Sequence, residues 1–240
     1  MSENKSIEAF NNLLHKEVSS EFEKIADSSI LEDFNWDTIL DEVEGLRALW
    51  KLGKGIEQRI YLRNLAILLL KQKGVTNKQK MNWQERLASD KKCKRLVENL
   101  LVLMHRLHDP YKTKIIANLF RAFLTEELEL NNLLRLISIV ENCYHDDLAY
   151  FEFAYVKFED NKYSMEERMK LLFESDFYIQ NLLIHGLFEE KQRNIDPGAG
   201  MGMRDTTTPK DVVNILKRSE KEKRKDLNKL GYLLKKYGFE

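Results

Sequence analysis

Apolar residues at spacings of three and four run through almost the whole chain, and only 3 prolines and 10 glycines interrupt them. Such spacing falls on one face of a helix with 3.6 residues per turn, so the pattern calls for helices that bury a stripe against one another. Phe10, Leu13, Leu14, Val18, Phe22 and Ile25 predict one amphipathic helix from Ile7 to about Ile25. Trp36, Ile39, Leu40, Val43, Leu46, Leu49 and Trp50 predict a second, ended or bent at Gly53 and Gly55. The next stretch, "IEQRIYLRNLAILLLKQKG", is apolar nearly all round in its second half, the pattern of a central core helix, and Gly74 offers a left-handed C-cap.

Beyond "VTNKQK" a long helix is expected with Leu96, Val97, Leu100, Leu101, Leu103, Met104 and Leu107 along one side. Asp109-Pro110 closes it, because the residue before a proline is pushed out of helical geometry, and Pro110 opens the following helix. That helix carries Ile115, Ile116, Leu119, Phe120, Phe123 and Leu124. A further one, capped by Asn131, carries Leu133, Leu134, Ile137, Val140 and Tyr144, and the two should form an antiparallel hairpin.

At 240 residues and 43% hydrophobic the chain can bury a sizeable core. Thirty-nine basic residues balance 39 acidic ones, so no global field recruits nucleic acid or anionic lipid, and electrostatic recognition has to come from local patches. Cys93 and Cys143 form no CxxC pattern and fit a reducing compartment. "MSENKSIEAF" lacks the basic and apolar regions of a signal peptide, and the longest apolar run, "LAILLL", is far below the ~18 residues a membrane span needs, so a cytoplasmic protein without transmembrane insertion is expected.

The run "HDPYKTKIIANLFRAFLTEELELNNLLRLISIVENCYHDDLAYFEF", with the upstream "LWKLGKGIEQRIYLRNLAILLL", resembles a group of bacterial helical proteins similar to the Abi-alpha family. The resemblance covers roughly residues 40–155 and consists of apolar and aromatic residues at helical spacing, with no catalytic signature. It implies a setting in abortive phage infection and no mechanism.

After "EDNKYS" the organisation changes, which divides the chain into a helical bundle at 1–158 and a C-terminal module at 159–240. Ser164 and Glu167 make a capping box that starts a helix at Met165. "SDFYIQNLLIHGLFEEK" then reads as an apolar helix, a glycine, an apolar pair and a polar excursion, the way a winged-helix module leaves its recognition helix for the first wing strand. The closing "DLNKLGYLLKKYGFE" looks like the return to a final helix, with at most a short hairpin near 187–207. One departure is that "TTTPKDVVNILKRSEKEKRKD" between them starts as a helix itself, with Thr208 as N-cap and Pro209 at its first position.

The Gly-rich loop at 195–208 does not fit a phosphate cradle: Gly198, Gly200 and Gly202 alternate, and no Lys-Ser or Lys-Thr pair follows. A mobile tip remains, or a wing whose Arg193 and Arg204 reach a phosphate backbone. The basic stretch holding Arg218 and Lys225 is an electrostatic footprint or a solvated helix face in which Glu220 pairs with Arg224.

His105, His108 and Asp109, with His145, Asp146 and Asp147, raise a second chemistry, in which histidines and aspartates from separate helices hold metal around a phosphate-attacking water. Asp176 would be the later aspartate. Against it, Asp109 precedes a proline and Asp146 and Asp147 fall at a helix end, where carboxylates serve as caps. His185, just before Gly186, suits helix carbonyls, and His15 faces solvent. Cys93 sits among lysines that could lower its pKa, or is simply a half-buried thiol, while Cys143 belongs to the apolar side with Val140.

The expectation is therefore a mainly α protein, a multi-helix bundle with a winged-helix-like C-terminal module. It is read as a non-enzymatic interaction protein without a cofactor, acting through a protein partner, a second copy or nucleic acid. The partner surface is placed at Asn181, Arg193, Arg204, Arg218 and Lys225. The alternatives are a peripheral membrane effector, built on the apolar "YLRNLAILLL" beside "KLGKG", and the His/Asp metal-dependent phosphohydrolase.

Overall fold

A computed structural model describes residues 3–15, 23, 25–26, 56–157, 177–191 and 224–239. The expected stripe at 36–50, the bend at Gly53 and Gly55, the Ser164/Glu167 capping box, the Gly-rich loop 195–208 and the helix start at Thr208-Pro209 lie outside them. Two compact units emerge, Met1–Asn161 together with Leu233–Glu240, and Lys162–Tyr232.

The first unit is helical. In order come α1 Glu3–His15, α2 Ile56–Leu70, α3 Asn77–Ser89, α4 Lys91–Arg106, α5 Pro110–Leu124, α6 Leu130–Asn142 and α7 His145–Glu152, with a π-helical turn Phe153–Lys157. α2 is central as its composition demands: Leu65, Ala66, Ile67, Leu68 and Leu69 are all buried, and the helix packs on both α4 and α5. Gly74 adopts φ 92°, the left-handed turn the sequence assigned to it. Aromatic side chains tie three helices together. Phe120 of α5 is fully buried, 6.2 Å from Phe10 of α1 and edge-on to Trp83 of α3 at 5.9 Å.

Buried polar groups close the helix ends. Asn64 of α2 donates from Nδ2 to the carbonyls of Met104 (2.8 Å) and Leu107 (2.6 Å) at the C-terminus of α4, and its Oδ1 accepts from Thr113 Oγ1 (3.1 Å). One amide thus satisfies carbonyls that a helix end leaves without partners. The chain's last residues also belong here: Asn118 Nδ2 donates to the Gly238 carbonyl (2.9 Å), Tyr237 OH to the Glu127 carbonyl (3.3 Å), and Phe239 stacks on Phe151 at 5.8 Å. The expected module 159–240 therefore loses residues 233–240 to the bundle. Leu234 and Tyr237 are buried, which gives this return an apolar anchor.

Two helix boundaries differ from expectation. The long helix after "VTNKQK" is two helices: Thr76 and Gln79 form a capping box that starts α3, and Asp90 ends α3 while its side chain accepts from Lys92 N (2.8 Å) to start α4. Asn131 is not a cap either, since α6 begins at Leu130 with Glu129 in the N-cap position and no side-chain cap bond. The end of α5 explains this shift. Glu126 takes φ 64°, Glu127 N reaches Ala122 O (2.9 Å) and Glu126 N reaches Phe123 O (3.1 Å), a Schellman turn made without glycine that advances the next helix.

In the second unit residues 177–184 are helical and end in a Schellman turn with Gly186 at φ 76°. Leu187 N bonds Leu182 O (3.0 Å), and Gly186 N bonds Leu183 O (2.9 Å). Strand β1, Phe188–Lys191, pairs antiparallel with β2, Arg224–Leu227, in the register Phe188↔Leu227 to Lys191↔Arg224. The hairpin expected within 187–207 thus draws its second strand from 224–227, inside the stretch weighed as a solvated helix face. The pairing is sealed at the end away from the connecting chain. Phe188 and Leu227 are buried opposite each other, Asn228 N bonds Leu187 O (3.1 Å), and Asn228 Nδ2 bonds Gly186 O (2.6 Å). The Oδ1 of Asn228 then accepts from Gly231 N (3.0 Å), capping helix α8, Lys229–Tyr237, which crosses the division between the units at Tyr232. Gly231 is required by contact, because any Cβ there would fall inside the Leu187 carbonyl and reach Leu227 Cδ2 at 3.0 Å.

Candidate functional site

The histidines and aspartates of the phosphohydrolase reading do not assemble a metal centre. Among the described residues no group of three or more His, Cys, Asp or Glu side chains converges. Asp109, His145 and His105 have local structural partners. Asp109 Oδ1 accepts from Tyr111 N (2.9 Å) as the N-cap of α5, and its Oδ2 lies 2.8 Å from His145 Nδ1. His145 packs its ring 4.9 Å from Tyr111, at the start of α7, where Asp146 and Asp147 occupy the first turn. His105 faces Tyr61 with ring centres 5.8 Å apart, and the His108 carbonyl accepts from Arg63 Nη2 (3.2 Å). Asp176 lies outside the described residues. His15 is exposed on the last turn of α1, with its pKa lowered by partial burial and then by Lys80. Of the candidate metal set His105, His108, Asp109, His145 and Asp146, the structure brings Asp109 and His145 together, and no group of three or more such side chains forms among the described residues.

The thiols are equally unreactive by position. Cys93 is fully buried, and burial raises its pKa more than Arg86 lowers it, with Asp90 raising it further. The lysines that flank it in sequence do not activate it. Burial pushes Cys143 up to about 12, the charge of Asp147 adding to the shift. Since the thiolate is the reactive form, native protein at pH 8 should leave both cysteines unmodified by iodoacetamide over hours and expose both after unfolding in urea. Intact-mass measurement checks this, and rapid single labelling of the native chain would contradict the burial.

The apolar helix behind the membrane reading is occupied. Tyr61, Leu62 and Leu65 to Leu69 all lie in the bundle core, so this surface is already in contact with protein. No helix among the described residues is long and apolar enough to cross a membrane.

Sequence periodicity gave no hint of a groove between α4 and α6. It encloses about 290 Å³, with Leu96, Leu100, Leu103, Leu134 and Ile137 as walls. The Arg106–Glu141 ion pair at 2.9 Å bridges it. Asn99 and Ser138 add neutral polar groups to the same lining.

The second unit carries a different kind of surface. Phe177 and Ile184 are 69% and 80% exposed, and Gln180 between them is exposed as well, so positions 177, 180 and 184 form one outward ridge. Leu182 is fully buried on the other side. Asn181 sits beside the ridge, half-buried, and Lys225 stands opposite Glu190 in the strand register. The rung Glu189↔Asp226 is acidic, Glu190↔Lys225 is mixed and Lys191↔Arg224 is basic, so the paired residues carry no net charge. Arg193, Arg204 and Arg218 lie outside the described residues, in the chain that links the two strands. Phe177, Gln180 and Ile184 went unnoticed in the sequence because two of them are apolar and blend into a helix that looks buried all round. Known protein families, curated proteins and solved structures give no match to this chain.

Proposed function

We propose that the protein is a non-enzymatic interaction protein that binds nucleic acid through its helix–hairpin unit, a winged-helix-like arrangement carried on the helical bundle. One observation carries this reading. The helical residues 177–184, the left-handed Gly186, the antiparallel pair β1–β2 and helix α8 follow in the order of a recognition helix, a wing and a closing helix. The basic stretch 217–225 supports it, with Lys217, Arg218, Lys221, Lys223, Arg224 and Lys225 against Glu220 and Glu222. Cations gathered near one hairpin can neutralise phosphates even in a chain of zero net charge. The setting we assign, phage defence, rests on the resemblance to the Abi-alpha family alone.

Fluorescence anisotropy with labelled duplex DNA and single-stranded RNA, titrated in salt, tests the proposal. Binding should weaken steeply as salt rises, and Arg193→Glu/Arg204→Glu and Lys225→Glu should each weaken it on every sequence. Absence of binding at low salt would overturn it and direct attention to a protein partner.

A further inference from the structure

We infer that His145 is a phosphoryl-acceptor site on the helical bundle, taking the group on its Nε2 from an acyl phosphate or phosphoramidate donor. Every residue involved belongs to the first unit, so nothing here depends on nucleic-acid binding. Among the 5 histidines only His145 is held by a carboxylate, its Nδ1 lying 2.8 Å from Asp109 Oδ2. Asp109 is itself fixed, because its Oδ1 accepts from Tyr111 N at 2.9 Å as the cap of α5. The Tyr111 ring packs 4.9 Å from the imidazole, and its OH donates to Glu152 Oε2 at 2.7 Å. An ionised carboxylate only accepts, so the ring proton sits on Nδ1 and the lone pair on Nε2. The His145 side chain is 55% exposed, which leaves its second nitrogen open to a donor from solution. His105, by contrast, has its Nε2 buried.

Position selects phosphoryl over acyl transfer. His145 is the first residue of α7, and the N-cap residue Tyr144 makes no side-chain cap bond. A helix N-terminus favours negative charge, so a phosphoryl group is stabilised there where an uncharged acyl group gains nothing. Lys112 brings a cation to the end of α6, just before α7, its Nζ donating to the Glu141 carbonyl at 3.0 Å. Repulsion from Asp146, exposed in the same first turn, is the opposing effect. In the transfer the Nε2 lone pair attacks phosphorus, the N–P bond forms and the donor's P–O or P–N bond breaks, releasing a carboxylate or ammonia. Positive charge arising on the ring is stabilised through Nδ1–H by the Asp109 carboxylate.

The test incubates the full chain with potassium phosphoramidate and maps acid-labile phosphate on each histidine by peptide mass spectrometry, with circular dichroism to establish that each variant is folded. His145 should be labelled first, roughly tenfold or more ahead of the exposed His15 and His108, the worth of one hydrogen bond to a charged group. Asp109→Asn keeps a residue able to cap α5 while removing the charge, and should slow labelling of His145 by a similar factor without changing that of His15. Asp146→Asn should speed labelling of His145. No label at His145, labelling no faster than at His15, or a rate unchanged in folded Asp109→Asn would each overturn the site and leave the pair a link between α5 and α7.

Discussion

Phe120→Ala is expected to destabilise the bundle by about 3–5 kcal/mol, the range for removing a large buried aromatic ring. The ring is fully buried and is shared by three helices, through Phe10 of α1, Trp83 of α3 and Phe123 on its own α5 at 6.3 Å. Trp83 also meets Phe123 edge-on at 5.7 Å, so the indole would keep only one of its two aromatic partners. Truncation leaves a cavity that α1, α3 and α5 can only partly close. Urea unfolding should show a lower midpoint with an unchanged slope, and Phe120→Leu, which retains much of the volume, should cost about 1 kcal/mol. A midpoint for Phe120→Ala close to wild type would mean that the three helices do not meet around this ring.

Asn64→Leu should cost about 3 kcal/mol for a different reason, since it leaves two buried carbonyls without a donor. Met104 O and Leu107 O lose their donor at the C-terminus of α4, and Thr113 Oγ1 loses its acceptor on α2. In that variant Thr113 keeps its bond to the Asp109 carbonyl at 3.2 Å, whereas Thr113→Val leaves Asn64 Oδ1 without its donor while both Nδ2 bonds persist, and should cost less, about 1 kcal/mol. In the double variant the two losses should sum to less than their separate values, because the shared bond can be removed only once. Strict additivity in the same urea experiment would show that Asn64 and Thr113 do not couple α2 to α5.

Much of the helical order was legible because its signals are local. The stripes of α4 and α5, the Asp109-Pro110 junction and the turn at Gly74 each need only neighbours within a few residues. Features that failed to show depend on distance or on an unusual residue. Asp90 separates two helices with neither glycine nor proline, and Glu126 adopts a conformation that sequence statistics reserve for glycine. The strand at 224–227 becomes visible only opposite Phe188–Lys191, since "RKDL" alone has little strand character. At the candidate site the split is similar. The order of helix, glycine and first strand was readable, while the exposed ridge was hidden by the assumption that apolar residues on such a helix face inward.

Because the chain leaves the bundle after Asn161 and re-enters it at Leu233, the helix–hairpin unit is an insert and not a tail. A premature stop or frameshift anywhere within it deletes Tyr237, Gly238 and Phe239 too, and with them the contacts to Glu127, Asn118 and Phe151. Such errors in the module therefore yield a bundle without the buried Leu234 and Tyr237. Only an in-frame excision can separate the two parts genetically.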